Sequence, residues 1–560
     1  MAPGTETAVQ VAQNAPIRPQ HRKLHDPDVS FEEYLYYAQK TREEERTLEK
    51  PRTAWRQLLA GEKKSAANGA ADESVGVVHQ ELGDLNLSTR NNRLHISDEE
   101  WTNASRALRT ASAGAAFYLI TTDILGPFAV PFAIGTLGYG PGVALFTAFG
   151  LLAGYSGYLI WHVFMHVDSY EFPARNYGDL AFRTWGTVAR HITNFLQAIA
   201  LLLLLGQVTI LFGQNISQMS KFRLCYIVCP LVFVIAGFFL TQIRTLKAYG
   251  WVATLAIWLN LLVIFISMGV MAHSPPNYAI AVLGSAGSAV DPDSITPVDG
   301  VYPPIVHYSG LPANNLVGNI NGLLSGVLAY AGAQLFVEFL AEMRRPRDFL
   351  KFQGQYTYNP SFQGVSAYSW QTVGNAITLL AGLIAAGLYG NIGIKVFYNN
   401  VLVDLLNAPL LVSKPGKLFY AALVPVWWSV AFVIAAAIPD YFGFISVMSA
   451  STLLNLTYTL PPLFALGMDI RKNAMRPGEG FNPETGEVTR NGTAMQRYIR
   501  GFFSGGPLQL AKNVWHVLYF LASLAMCGLG MYAAVQGMVD AFKHPQLNSF
   551  SCVSPLNLNA

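Results

Sequence analysis

Two carboxylates, Asp123 and Glu338, lie inside long apolar segments of the chain. A carboxylate at the centre of a membrane helix costs about 2.5–3.5 kcal/mol on insertion scales, so it is a functional candidate by default. Such a group can carry a proton, and both residues are therefore proton-coupling candidates. For Asp123 a second interpretation stays open, in which its carboxylate caps backbone N–H groups freed by a break in the helix.

Each of these carboxylates belongs to an apolar segment with an interrupted pattern, Ile120–Pro131 and Leu328–Glu338. In hydrocarbon every backbone N–H and C=O needs a partner, so a broken helix persists only where protein or a water-filled cavity receives the freed groups. Interruptions at corresponding positions of two halves of a polytopic chain are the best sequence indication of the binding site of a secondary transporter. The paired breaks therefore predict a substrate pathway.

The chemistry of the breaks suits a zwitterion. Pro127 fits the first turn of a new half-helix, whose N-terminus presents free N–H groups to a substrate carboxylate. Freed carbonyls in the second segment can accept from an ammonium group, so the two breaks together match an amino acid. The predicted substrate-binding residues are Thr122, Asp123, Leu125, Gly126, Pro127, Ala329, Tyr330, Ala331, Gly332, Ala333 and Gln334.

The composition of the chain indicates the environment of these segments. The 560 residues are 52% hydrophobic and 13% charged, with a mean hydropathy of +0.31, whereas soluble domains carry about 25% charged residues. This composition predicts an integral membrane protein that contacts the lipid bilayer. A net charge of +3 with basic residues spread over loops excludes a nucleic-acid partner and instead informs membrane orientation.

Apolar runs of spanning length recur along the chain. They lie near 112–138, 141–166, 189–213, 222–242, 248–272, 316–340, 365–389, 416–438, 440–468 and 510–538. Basic clusters beside these runs place the N-terminus in the cytoplasm. Cytoplasmic clusters at Arg347 and Arg471 need an even number of spans between them, so the weakly apolar Ile392–Val412 is predicted as an extra one. The result is an all-α polytopic protein with about eleven transmembrane helices and an external C-terminus.

The domain organisation follows from these runs. Residues 1–110 are predicted to be a cytoplasmic and largely disordered tail, 111–538 the transmembrane domain, and 539–560 a short external tail. Within the first tail, Phe31–Glu45 has helical composition and clustered aromatic residues. Two interpretations stay open for it: a docking or regulatory helix, and a solvated helix.

Several functional classes lack support in the sequence. No nucleotide-binding loop, no paired nucleophile and base, and no metal-ligand cluster occurs at a usable spacing. The sequence therefore predicts no enzymatic activity, no cofactor, no bound metal and no ATP-driven transport. Cys225 and Cys229 lie one helical turn apart without neighbouring ligands and are expected to be bundle- or lipid-facing thiols. The cysteines indicate no disulfide framework.

Four motifs resemble the amino acid/auxin permease family of the amino acid-polyamine-cation superfamily. They are Gly126–Ile134 with Gly138 and Gly142, Asn176–Ala181, Ala329–Gly332 with Glu342–Phe349, and Ile438–Ile445. The match runs from about Ala111 to Met538 and looks closest to fungal plasma-membrane permeases for neutral amino acids, whose relatives couple uptake to protons. Family members often carry Gly-Gly-His where this chain has Ala331-Gly332-Ala333, so a histidine-dependent step is not carried over.

The resemblance implies a leucine-transporter-type fold, a 5+5 inverted repeat with discontinuous helices 1 and 6. Substrate is then expected between helices 1, 3, 6 and 8. The function expected is proton-coupled uptake of neutral, aliphatic and aromatic, amino acids by alternating access at the plasma membrane. Sodium coupling is one alternative, and a transporter-fold nutrient receptor that signals through the N-terminal tail is another.

Overall fold

The computed structural model describes only part of the chain. The described residues are 25, 27–47, 129–242, 246–271, 273, 298–299, 301, 309–311, 316–343, 346–351, 368–403, 406–409, 411, 414–437, 441–543, 550 and 552–554. Most of the predicted N-terminal tail and the first part of the first crossing lie outside these ranges.

The described chain is almost entirely helical. Its elements are α1 (Phe31–Thr47), α2 (Ala129–Leu137), α3 (Tyr139–Val167), α4 (Tyr177–Trp185), α5 (Thr187–Met219), α6 (Val228–Thr241), α7 (Leu246–Met271), α8 (Leu316–Ala329), α9 (Phe336–Glu342), α10 (Tyr368–Phe397), α11 (Lys414–Ala437), α12 (Tyr441–Met448), α13 (Leu460–Asn473), the strands β1 (Gly480–Phe481) and β2 (Val488–Thr489), α14 (Ala494–Phe503) and α15 (Gly506–Lys543). The two strands form a short antiparallel hairpin between α13 and α14.

Five of the described helical stretches are long and apolar enough to cross a membrane, and a bent pair adds a sixth. The prediction of an all-α polytopic membrane protein is thereby confirmed. The predicted total of about eleven crossings stays a prediction, because several expected spans are short or incomplete within the described ranges.

One face of the helix bundle carries the N-terminal helix α1, and we call it the N-terminal face. Arg42 of α1 donates to the Asp168 carboxylate at 2.6 Å and to the Asp168 carbonyl at 2.9 Å, directly after the end of α3. Tyr34 and Tyr37 are buried and pack against Phe172. Of the two interpretations of this segment, the contacts support a docked helix over a solvated one.

The opposite face is marked by a disulfide between Cys225, in the turn after α5, and Cys552 near the C-terminus. This bond corrects the expectation that Cys225 is a free thiol, whereas Cys229 is indeed free and buried. Sequence spacing could not reveal the pair because its members are 327 residues apart. The bond places Cys552 on the face away from α1.

Helix α10 corrects one predicted crossing. Its first turns lie at the opposite face, where Asn375 bonds Gln218 at 2.9 Å, and it continues through a π-helical stretch, Tyr398–Val403, in which Asn400 accepts from Arg190 at 2.9 Å. The stretch Ile392–Val412 is therefore not a separate span, since most of it extends the same helix. Asn391 and Asn400 of this continuous helix are buried against other helices.

The described residues on either side of 352–367 lie at different faces of the bundle. The 3-10 helix Pro346–Lys351 lies near the N-terminal face, where Trp161 of α3 donates to the Pro346 carbonyl at 3.0 Å. Helix α10 then starts at the opposite face. How the chain passes from Lys351 to Tyr368 lies outside the described residues.

Candidate functional site

The predicted sixth crossing is interrupted where the sequence indicated. Helix α8 ends at Ala329, a 3-10 stretch follows over Ala331–Leu335, and α9 starts at Phe336 with a bend of 41°. At the junction the Tyr330 ring lies against Phe146 with a centroid distance of 4.6 Å. Gly150 has no space for a Cβ, which would lie 2.9 Å from that ring. The prediction of a discontinuous helix is confirmed for this crossing.

One side-chain amide of α5 forms hydrogen bonds to residues on both sides of the end of the 3-10 stretch. Gln197 Nε2 donates to the Gln334 carbonyl at 2.8 Å and to Glu338 Oε1 at 2.7 Å. All three residues are buried, with exposures of 0% for Gln197, 1% for Gln334 and 7% for Glu338. Where an α-helix changes to 3-10 geometry, some backbone carbonyls lose their intrahelical donor. Here the side chain of Gln197 on the neighbouring helix α5 supplies a donor to one of them.

Three buried oxygens at the break have no hydrogen-bond partner among the described residues. They are Gln197 Oε1, Gln334 Oε1 and Glu338 Oε2. A buried polar atom left without a partner costs about 1–3 kcal/mol, so such atoms mark strain or a place for water or a ligand. All three are acceptors unless Glu338 is protonated, which suits an ammonium group or a transferable proton.

Glu338 has no cationic partner in the described part of the chain. It forms no ion pair there, and its recorded donors are neutral: the Gln197 amide and the backbone N–H groups of Glu338 and Tyr177. A carboxyl group in this setting can take up and release a proton as its surroundings change between conformations. One of the two predicted proton-coupling candidates thus lies in the first turn of α9, directly after the break.

A polar face of α5 leads from the break toward the N-terminal face. Gln197, Asn194 and Arg190 are buried and spaced three and four residues apart, so they share one side of the helix. The amide of Asn194 lies against Gly178 of α4, where a Cβ would come within 2.0 Å of its Oδ1. Arg190 donates to Asn400 at the far end of this face. The face forms a polar connection between Glu338 and the end of the bundle.

Helix α4 anchors that connection. Asn176 and Asp179 form a reciprocal capping box at its N-terminus, and Asp179 also bonds His25 at 2.7 Å. Burial raises the pKa of Asp179, but His25, Arg183 and Arg175 outweigh this effect and hold the pKa below its usual range. Asp179 is therefore a stable anion that ties the segment before α1 to the N-terminal face.

Two π-helical turns lie beside the break, and sequence reasoning did not find them. Ser449–Leu453 and Asn455–Thr459 interrupt the helix between α12 and α13. The second turn packs against the 3-10 stretch, and the Tyr177 hydroxyl donates to the Leu456 carbonyl at 2.6 Å. π-turns occur frequently at functional sites. The hydroxyl-rich composition of 449–459 was the available signal, since these side chains compete for backbone groups.

The partner segment is seen only in its second half. Helix α2 packs against α8 so closely that a Cβ on Gly322 would lie 1.8 Å from Thr136 Oγ1. The predicted residues Thr122, Asp123, Leu125, Gly126 and Pro127 lie outside the described residues. Of the predicted site, Ala329–Gln334 and Glu338 are thus assembled with Gln197, while the first-crossing residues stay predictions. No group of three possible metal ligands occurs within the described ranges.

Comparison with known proteins extends the motif resemblance. Residues 109–359 match the family described as transmembrane amino acid transporter protein. The chain is 22% identical over 462 residues to the N amino acid transport system protein of Neurospora crassa, covering 78% of this chain and 86% of that protein. These matches confirm the family resemblance predicted from the motifs.

Two solved transporter structures are also similar, at low scores. Mhp1, a nucleobase-cation-symport-1 family transporter in a closed conformation with bromovinylhydantoin bound, gives a TM-score of 0.31 at 10% identity, over 79% of this chain and 94% of its own. The Eremococcus coleocola manganese transporter, in complex with an aromatic bis-isothiourea substituted compound, gives 0.30 at 14% identity, over 80% and 98%.

Proposed function

We propose that the protein is a secondary active transporter that carries neutral amino acids inward together with protons, and the match of residues 109–359 to the family described as transmembrane amino acid transporter protein supports this proposal. Transport proceeds by alternating access around the break between α8 and α9. The membrane is the plasma membrane, and the N-terminal face is cytoplasmic. The substrates are aliphatic and aromatic amino acids.

The substrate site combines both broken segments. In this proposal the N–H groups at Leu125, Gly126 and Pro127 receive the substrate carboxylate, and the acceptors over Ala329–Gln334 receive its ammonium. The unpartnered oxygens of Gln197 and Gln334 support this arrangement, because both are buried beside the 3-10 stretch. No lysine or arginine is needed to hold a zwitterion in such a site.

The observation that carries the coupling proposal is the Gln197–Glu338 hydrogen bond at the break. It ties the carboxyl group that would carry the proton to the same helix turn that would bind the ammonium. Binding and protonation then act on one element, which is what coupling requires. The polar face through Asn194 provides the path for proton release at the N-terminal face. Asp123 stays the second candidate for this step.

Radiolabelled uptake in a cell that lacks its own permeases tests the proposal. We expect leucine uptake that phenylalanine inhibits, that lysine and glutamate do not inhibit, and that a protonophore abolishes. Uptake that is insensitive to the protonophore and lost when sodium is replaced would identify a sodium-coupled transporter instead.

Two variants of one helix supply a matched comparison. Gln197→Leu removes the donor to Gln334 and Glu338, whereas Gln207→Leu on the same helix removes only a bond of 3.2 Å to the Tyr441 hydroxyl. A hydrogen bond to a charged group is worth about 1.5–3 kcal/mol, so Gln197→Leu should slow uptake by about tenfold or more. Equal uptake by the two variants at equal surface expression would contradict the proposed site.

The docked α1 favours one alternative enough to test it, namely a nutrient receptor that signals through the N-terminal tail. The contacts of Arg42 and Tyr34 show that the tail reaches the end of the bundle. Deletion of residues 1–47 separates the possibilities. Intact uptake with lost signalling supports the receptor role, whereas intact uptake without any signalling phenotype leaves transport as the function.

A further inference from the structure

A cavity of about 150 Å³ opens on the N-terminal face between α1, α13, β2 and α14. Its lining includes Phe31, Glu32, Arg471, Arg490, Arg497 and Tyr498. The volume is about ten times the space that one water requires. It is therefore large enough for a small ionic group.

The charges in this cavity do not balance. Among the described lining residues three arginines face a single carboxylate, which gives an excess of two positive charges. Arg490 forms a two-bond pair with Glu32, at 3.2 and 2.7 Å, and Arg497 adds a contact at 2.6 Å. Arg471 donates to the Tyr498 hydroxyl at 2.9 Å and has no carboxylate partner among the described residues.

Two guanidinium Nε groups beside the cavity are unpaired within the described residues. Arg471 Nε and Arg497 Nε are buried and have no acceptor in the described part of the chain. Arg471 is held in place between two rings, 5.6 Å from the Phe31 centroid and 5.8 Å from the Tyr498 centroid. Arg490 is 43% exposed, so the cavity is reachable from solvent. Pre-positioned guanidinium forks are suited to phosphate oxygens.

The neighbouring helix α14 has the side-chain pattern of a helix that contacts lipid headgroups. In α14 the exposed side chains Met495 (68%), Ile499 (52%) and Phe503 (64%) form an apolar stripe at a four-residue spacing. Arg497 and Tyr498 lie on the other side, facing the cavity. An amphipathic helix with an exposed apolar stripe and basic residues opposite is typical of a helix in the membrane interface. Gly501 lets α14 lie directly on α13, since a Cβ there would approach the Ile470 carbonyl within 2.0 Å.

We propose that this cavity binds a phosphomonoester, a group with a charge of about −1.5 to −2 near neutral pH. The excess of two positive charges among the described lining residues matches this charge. The phosphate belongs either to a lipid headgroup in the leaflet beside α14 or to a soluble phosphate ester. The proposal does not depend on which substrate the protein carries.

Native mass spectrometry of the full-length protein in detergent tests the site, with phosphatidic acid and phosphatidylinositol 4-phosphate as monoester lipids and phosphatidylglycerol as the diester comparison. Soluble inorganic phosphate and glycerol 3-phosphate form a second arm, read by thermal stabilisation. We expect a monoester probe to bind and the diester lipid to be retained at least tenfold less. Stabilisation by the soluble esters alone would assign the phosphate to a soluble source.

Arg471→Gln is the informative variant because it leaves the Arg490–Glu32 pair intact. We expect it to weaken binding of the monoester probe about tenfold, as expected for loss of a charge-assisted bond. Arg476→Gln is the matched control, since Arg476 is exposed on the same face outside the cavity. Equal binding by the two variants, or retention of the diester lipid equal to that of the monoester lipids, would overturn the proposal.

Discussion

Replacement of Arg42 by methionine should release α1 from the N-terminal face. Arg42 is 7% exposed and pairs with Asp168, which is fully buried, and with Glu45. Removing one member of a buried ion pair costs about 3–5 kcal/mol, because the remaining charge is left without compensation. Asp168 keeps the Ala174 N–H donor at 3.0 Å, so we place the cost near the lower value, about 3 kcal/mol.

That cost corresponds to a change of about 100-fold in the docking equilibrium of α1. Hydrogen exchange of residues 31–47 in the purified protein measures it, since amides that exchange only from the undocked state report its population. We expect exchange about 100 times faster in Arg42→Met. The control is Glu43→Gln, an exposed position of the same helix. If both variants exchange at the wild-type rate, the ion pair does not hold α1 in place.

Three further predictions concern the same framework. Burial raises the pKa of Glu32, but its bonds to two arginines outweigh this and hold the pKa below the ordinary value of 4.5. The contribution of Glu32 to α1 docking is therefore present above pH 4.5 and is lost as the pH falls through the lowered pKa. Glu32→Gln should consequently flatten the acid dependence of hydrogen exchange in residues 31–47. Cys552 should react with a membrane-impermeant thiol reagent applied outside intact cells only after reduction of its bond to Cys225, and reaction only in permeabilised cells would refute the proposed orientation. Gly322→Ala should lower the melting temperature, because overpacking costs about 1–3 kcal/mol. Adding Thr136→Ala to that variant should recover part of the loss, because it removes the oxygen that the new methyl group would contact. If the double variant recovers no stability, the packing of α2 against α8 is not as described.

The break at Ala329–Leu335 could be predicted from the sequence, because small residues and a carboxylate in one apolar run are difficult to accommodate in a continuous membrane helix. It also singled out Glu338 as an acid beside that break, and its role as a proton carrier stays a prediction. It could not identify Gln197 as the donor to Glu338, because that contact joins residues 141 positions apart. Contacts of such separation depend on helix packing, which local patterns do not encode.

Other structural features could not be predicted from the sequence, and the reasons are also physical. An extra span was predicted over Ile392–Val412 because the basic clusters required an even number of crossings, but α10 continues into this stretch, with Asn391 and Asn400 bonded to α11 and α5. Segment Phe31–Glu45 was ambiguous because its charges suit solvent as well as a docking surface. Only the positions of Asp168 and Arg490 on other elements decide that it docks.

Proton movement in proteoliposomes tests the central claim, which is that Glu338 couples a proton to amino acid transport. The reconstituted protein should carry protons into the lumen when leucine is added outside, as recorded by a trapped pH-sensitive dye. Glu338→Gln keeps an acceptor for Gln197 but cannot ionise, so it should exchange labelled leucine between the two sides while proton uptake is lost. Asp469→Asn, a buried acid paired with Lys512 away from the break, should keep both activities. Leucine-driven proton uptake at the wild-type rate in Glu338→Gln would contradict the account.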